Sequence, residues 1–139
     1  MTLQDSERQT LSKLYMEKAQ RALIDSEINS NSSPSLSVSR AYYSMFYAAQ
    51  SALVQEGIAG LRRHEGVNNK FSDLFVKNGS FPNDLFRMMG RLEQARYRAD
   101  YDPTAIISAQ EAEESTEGAR KFVAAVEHMM GKRLNTSRE

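Results

Sequence analysis

The stretch PSLSVSRAYYSMFYAAQSALVQE, residues 34–56, decides the fold. Ser33 followed by Pro34 is a helix-starting pair, because a proline at the first helical position lacks an N–H that would have no partner there anyway. No glycine and no second proline interrupts the run before Gly57. Val38, Ala41, Tyr42, Met45, Ala49 and Ala52 recur at helical spacing on one side, and Tyr43, Phe46, Tyr47 and Val54 cover another. Only Arg40, Ser44, Ser51 and Gln55 are left as a narrow polar strip. A helix apolar nearly all round is packed on several sides, so this segment is predicted to be the central helix of a bundle. Its tyrosines accordingly read as core residues whose hydroxyls reach polar edges, rather than as an exposed platform for stacking bases.

Working outward, the segment from about Ser6 to Asn29 has neither Gly nor Pro and carries Leu11, Leu14, Tyr15, Ala19 and Ala22 at helical spacing. A polar loop, residues 29–33, separates it from the central helix. On the other side, Gly57 and Gly60 bracket a turn, and Gly66 and Gly79 limit a short third helix striped by Val67, Phe71, Leu74 and Phe75. Pro82 opens a fourth helix with Leu85, Met88, Met89, Leu92, Ala95 and Ala99 on one face. Pro103 disfavours helical geometry at Asp102, which predicts a stop near Asp100. Thr104 is the expected N-cap of a last helix along which Ala105, Ala109, Ala112, Thr116, Ala119, Val123, Val126 and Met130 keep to one side, until Gly131. The prediction is therefore an all-α fold, a compact up-and-down bundle of about five helices forming a single domain over residues 1–131, with a flexible polar tail over 132–139.

Composition narrows the function classes. The 139 residues include 18 basic and 18 acidic side chains, so no net field draws the whole molecule to nucleic acid or anionic lipid. There is no Cys, which excludes disulfides, thiolate metal sites and cysteine nucleophiles. The beginning, MTLQDSERQT, lacks a charged-then-apolar leader, and no run approaches about 18 apolar residues, so a cytoplasmic protein without membrane attachment is expected. His64 and His128 are the two histidines, too few for a histidine-built metal site, and no phosphate-binding glycine loop, G-x-S-x-G or H-E-x-x-H is present. Neither a metal nor a cofactor is expected.

What remains is the end of the fourth helix, Arg96-Tyr97-Arg98-Ala99-Asp100-Tyr101-Asp102-Pro103. Arg96 falls within about 20° of Leu85 around the helix, beside Met89 and Leu92, so a permanently charged guanidinium points to the apolar side. Two readings fit: a structural ion pair with Asp100 or Asp102, or a guanidinium placed in advance for a phosphate. Arg87, Arg91 and Arg98 lie within about 40° of one another on the opposite side, a stripe that suits an RNA backbone or simply a solvated face.

Two segments taken together, Ser39-Arg-Ala-Tyr-Tyr-Ser-Met-Phe-Tyr-Ala-Ala49 and Arg96-Tyr-Arg-Ala-Asp-Tyr101, resemble the HEPN family of small prokaryotic helical domains, over about residues 6–131. His64 followed by Val67 and Phe71 is similar to the family's third-helix entry. The resemblance implies a homodimer, often encoded beside a minimal nucleotidyltransferase that acts as the antitoxin. In active members it implies a metal-independent ribonuclease, in which an Arg stabilises phosphoryl charge and a His a few residues on moves protons. Arg96 matches that Arg, but Tyr101 occupies the place of the His, and a phenol is a poor base near neutrality. The resemblance thus carries over Arg96, Asp100 and Tyr101 as the catalytic positions of a modified site, with Arg87, Arg91 and Arg98 as candidate phosphate contacts. It also allows a second function, a non-catalytic module binding a nucleotidyltransferase or a nucleotide.

Overall fold

The computed structural model describes the backbone of residues 4–138 and the side chains of residues 4–134. Five α-helices follow in order: α1 Asp5–Asn29, α2 Pro34–Gln55, α3 His64–Phe71, α4 Asn83–Tyr101 and α5 Ala109–Arg138. A π-helical turn, Ser72–Val76, continues α3. No strand occurs among the described residues. As the sequence predicts, α2 is central and packs against each of the other four helices.

α2 ends where the glycine says it must. Gly57 has φ 87°, Ile58 N donates to Leu53 O and Gly57 N donates to Val54 O, which together close the helix in a left-handed cap open to glycine without strain. At the start, Ser37 N donates to Ser33 O behind Pro34.

The core of α2 includes Tyr42, Met45, Ala48, Ala49 and Ala52. Around it, Phe71, Phe75, Phe81 and Phe122 bring the third, fourth and fifth segments together, with ring centroids 4.9–5.0 Å apart for Phe71–Phe75, Phe71–Phe81 and Phe81–Phe122. In the π turn Lys77 N donates to Ser72 O, five residues back.

Several expectations are corrected. Within the narrow polar strip of α2, Ser44 and Ser51 are fully buried. Ser51 Oγ donates to Ser12 O at 2.7 Å and Ser12 Oγ to Ser51 O at 2.8 Å, so two serines replace apolar contacts where α1 and α2 approach closely. A second hydroxyl cluster, Ser26, Ser37 and Thr116, ties α1 to α2 and α5, with Ser26 and Thr116 oxygens 2.6 Å apart. Because α1 packs through small residues, Leu14, expected inside, is exposed.

Gly66 does not limit α3, which begins at His64 with Gly66 inside it. Thr104 does not cap α5. Its N–H and hydroxyl both donate to Asp102 Oδ1, at 2.9 and 2.6 Å, in a tight turn. The cap is Ser108, whose Oγ accepts the N–H of Glu111 at 3.0 Å.

Gly131 does not end α5, which runs on to Arg138. The glycine costs about 1 kcal/mol in a helix interior, and docking beyond it offsets this: Arg133 pairs with Glu56 and lies 5.0 Å from the centre of the Phe75 ring. The polar tail expected over 132–139 is therefore helical in backbone up to Arg138, and Glu139 lies outside the described residues.

Ser51→Leu is expected to destabilise the fold by about 1–3 kcal/mol through overpacking and loss of the reciprocal serine bonds, whereas Leu14→Ser should stay within about 0.5 kcal/mol of the unchanged protein. Urea denaturation midpoints of the two variants check both.

Candidate functional site

The site lies where α4 ends against α2 and α3. Arg96 is buried to 9% exposure, on the same face as Met89 and Leu92, as its helical position requires. Its guanidinium carbon lies 5.2, 5.6 and 5.8 Å from the ring centres of Tyr42, Tyr43 and Tyr101. Each such contact is worth about 0.5–2 kcal/mol to a cation losing water. Among the described residues Arg96 pairs with Asp100, with Arg96 Nη1 and Asp100 Oδ2 3.5 Å apart, and Ser39 Oγ is also 3.5 Å from Asp100 Oδ2. Arg96 Nε is buried and has no hydrogen-bond partner among the described residues. The guanidinium is thus held by aromatic faces, the Tyr101 side chain and one loose ion pair.

Burial works against the Arg96 charge, but Tyr43, Tyr101, Asp100 and Tyr42 outweigh it, so its pKa is raised and the group stays cationic. A second guanidinium stands on the same ring: Arg40 lies 5.0 Å from the centre of Tyr43 and makes no ion pair among the described residues. Two arginines therefore flank Tyr43, with Asp100 paired to one of them.

α3 contributes a residue that local reading of the α4 motif misses. His64 stacks on Phe46 at 4.3 Å and on Tyr42 at 5.4 Å with rings only 6° apart. Its Nδ1 is 2.5 Å from the Tyr42 hydroxyl. Tyr42 and Tyr43 thus touch both His64 and Arg96, one from each side of the site. Burial raises the pKa of Tyr42, with the Glu93 charge adding to it, so its phenol stays protonated. Burial likewise lowers the pKa of His64, and Arg96 pushes the same way against a weaker pull from Glu93. The signal was present: His64, Val67 and Phe71 fall within about 60° on one helical stripe, which places the imidazole on the buried side of α3.

The residues expected at this site separate into two groups. Arg96, Asp100 and Tyr101 come together, with Tyr101 63% exposed at the rim and its ring 4.9 Å from the equally exposed Tyr97. Asp102 does not reach Arg96 and is held in the Thr104 turn. Arg87, Arg91 and Arg98 are exposed, about 140–200° around α4 from Arg96, and so cannot share one phosphate with it. Arg98 is moreover bound to Glu111 of α5 at 2.5 Å. No helix among the described residues is long and apolar enough to cross a membrane.

Comparison with known proteins identifies the group to which this arrangement belongs. The model of the HEPN domain matches residues 12–129, which takes in α2, α3, α4 and most of α5. The chain is a member of the HEPN family. It is 37% identical over 99 residues to "Putative toxin MJ0142" of Methanocaldococcus jannaschii, covering 70% of this chain and 67% of that one. It is 31% identical over 86 residues to "Putative toxin MJ0605" of the same organism, covering 62% and 63%. "UPF0332 protein glr0978" of Gloeobacter violaceus is 32% identical over 66 residues, 48% of this chain and 52% of that one. In this HEPN chain the Arg of the α4 motif is buried on aromatic rings, and the imidazole beside it comes from α3.

The lowered His64 pKa has a consequence for stability. The unfolded chain binds a proton near pH 6.5 while the folded one resists it, so stability is fully present above about 6.5 and is lost as pH falls through that value toward the folded pKa. Thermal midpoints are expected to drop between pH 7 and 5, before carboxylates protonate, and this part of the drop should vanish in His64→Gln.

Proposed function

We propose that this HEPN protein is a toxin-type, metal-independent endoribonuclease whose phosphate-binding group is Arg96. The observation that carries the reading is the guanidinium itself, buried on Tyr42, Tyr43 and Tyr101 with an unpartnered Nε and one loose carboxylate. An ion pair built only for stability would hold the guanidinium on well-aligned carboxylates; this cation sits on aromatic faces beside one carboxylate 3.5 Å away. On this reading an RNA phosphodiester is its further acceptor. Attack of the 2′-hydroxyl on the adjacent phosphorus puts negative charge on the phosphoryl oxygens, and a preplaced guanidinium stabilises that charge without reorganising. Products are a 2′,3′-cyclic phosphate and a 5′-hydroxyl. The names of the two archaeal relatives, both with "toxin" in them, support the cellular role.

The acting form on this reading is a homodimer. Tyr97, Tyr101, Leu36 and Ile106 are large apolar side chains left exposed, Ile106 at 92%. They belong to segments that meet at this end of the bundle, where Val38, Ile107 and Ala112 pack with Ala95 and Ala99. A second copy covering that end would close water out of the Arg96 site. A nucleotidyltransferase antitoxin is the corresponding regulatory partner, and exposed Arg87 and Arg91 are the positions left to hold RNA beyond the cut phosphate.

Purified protein in EDTA is expected to cleave RNA, and Arg96→Ala to lower the rate about 10²–10³-fold. Arg96→Lys should recover little, since an ammonium does not reproduce the planar fork. Absence of cleavage by folded dimeric protein would instead support a binding module, and co-elution with a co-expressed nucleotidyltransferase would then identify its role.

A further inference from the structure

We infer that His64 is the proton acceptor of this site, taking the 2′-hydroxyl proton of RNA on Nε2 while Tyr42 holds Nδ1. The inference rests on the ribonuclease reading above and names the group that reading leaves open.

The reaction needs a base beside the guanidinium. Tyr101, at the place where an acid/base His would be expected, offers a phenol, a side chain poorly suited to take up a proton. Asp100 is engaged with Arg96 and Ser39. His64 is different in kind, being an imidazole, the side chain suited to exchange a proton at neutral pH.

Its geometry is fixed on three sides. Phe46 stacks on the ring at 4.3 Å, Tyr42 lies beside it at 5.4 Å and nearly coplanar, and Tyr43 meets it edge-on at 6.0 Å. The Tyr42 hydroxyl lies 2.5 Å from Nδ1, a bond that either atom can donate, and no described residue takes Nε2. Proton transfer to Nε2 requires the tautomer whose Nδ1–H donates to the Tyr42 oxygen, which leaves the Nε2 lone pair for a substrate. The groups facing the ring are Tyr42 and Tyr43 from α2 and Arg96 and Glu93 from α4, with Arg63 and Glu65 beside it in its own segment. Burial and the Arg96 charge both keep the imidazole neutral, the form that accepts a proton.

The step balances without a further reactant except water. The 2′-O–H bond breaks with its proton passing to Nε2, the 2′-oxygen bonds to phosphorus, and the phosphorus to 5′-oxygen bond breaks. The 5′-oxygen then takes a proton from water, and His64 later releases its own to solvent. Tyr42 is a positioning residue that holds Nδ1.

The experiment is a pH series from 5 to 8 in EDTA on a short RNA with the full chain, its His64→Gln variant and Tyr42→Phe, each checked by circular dichroism and sizing. For the unmodified protein kcat/KM should fall about tenfold per pH unit below the His64 pKa, itself under about 6.5. His64→Gln should lose about 10²–10⁴-fold in kcat with KM little changed, and its acid limb should flatten. Added imidazole should restore part of the rate of His64→Ala. A His64→Gln variant that keeps the unmodified rate, or the same acid limb, overturns the assignment and leaves the Arg96 reading standing. Loss of cutting in the unmodified protein overturns both. Should the variants fail to fold, an NMR titration of His64 in the unmodified protein decides, because a His64 pKa a full unit away from the kinetic limb overturns the assignment.

Discussion

A helix with no free face governs this molecule. α2 packs against every other helix, so whatever polar atoms it carries must be satisfied inside the protein. Its serines meet α1 and α5 in small hydroxyl clusters, its Tyr42 hydroxyl meets His64, and the faces of Tyr42 and Tyr43 meet Arg96. The candidate site is a product of the same constraint that builds the core. Aromatic rings at the edge of the core, Tyr42 fully buried and Tyr43 partly so, offer a cation a dehydrated seat, and only a cation at the right turn of α4 can take it.

That seat explains why charge and chemistry coincide. A guanidinium surrounded by carboxylates would be neutralised and useful only for stability. Here the rings lower the cost of burying Arg96 without consuming its donors, and Asp100 takes up one edge at a loose 3.5 Å. Arg40 on the far part of Tyr43 adds a second positive group to the same ring. The electrostatic balance favours an anion, and the same balance lowers the pKa of the neighbouring imidazole. The α4 stripe of Arg87, Arg91 and Arg98 is a separate surface, and its third member is spent on Glu111.

Much of the fold was legible in sequence because it depends on local rules. Pro34 and Gly57 mark the two ends of α2 through fixed φ and freedom at positive φ, and hydrophobic spacing places α4 and the burial of Arg96. The errors fall where a local rule competes with a distant contact. Thr104 looked like a cap until Asp102 accepted both its donors, and Gly131 looked like an end until Arg133 docked on Glu56 and Phe75. Ser51 reads as polar in the sequence, which does not show that it pairs with Ser12 where α1 approaches closely.

The sequence by itself determined the helices, their order, the inward aim of Arg96 and its neighbours Asp100 and Tyr101, since all of these follow from helical periodicity within one segment. Only the tertiary structure decided that His64 stands with Arg96 across Tyr42 and Tyr43. Those residues lie on three different helices, and side-chain contact between helices is set by how they pack, which no spacing within one helix encodes.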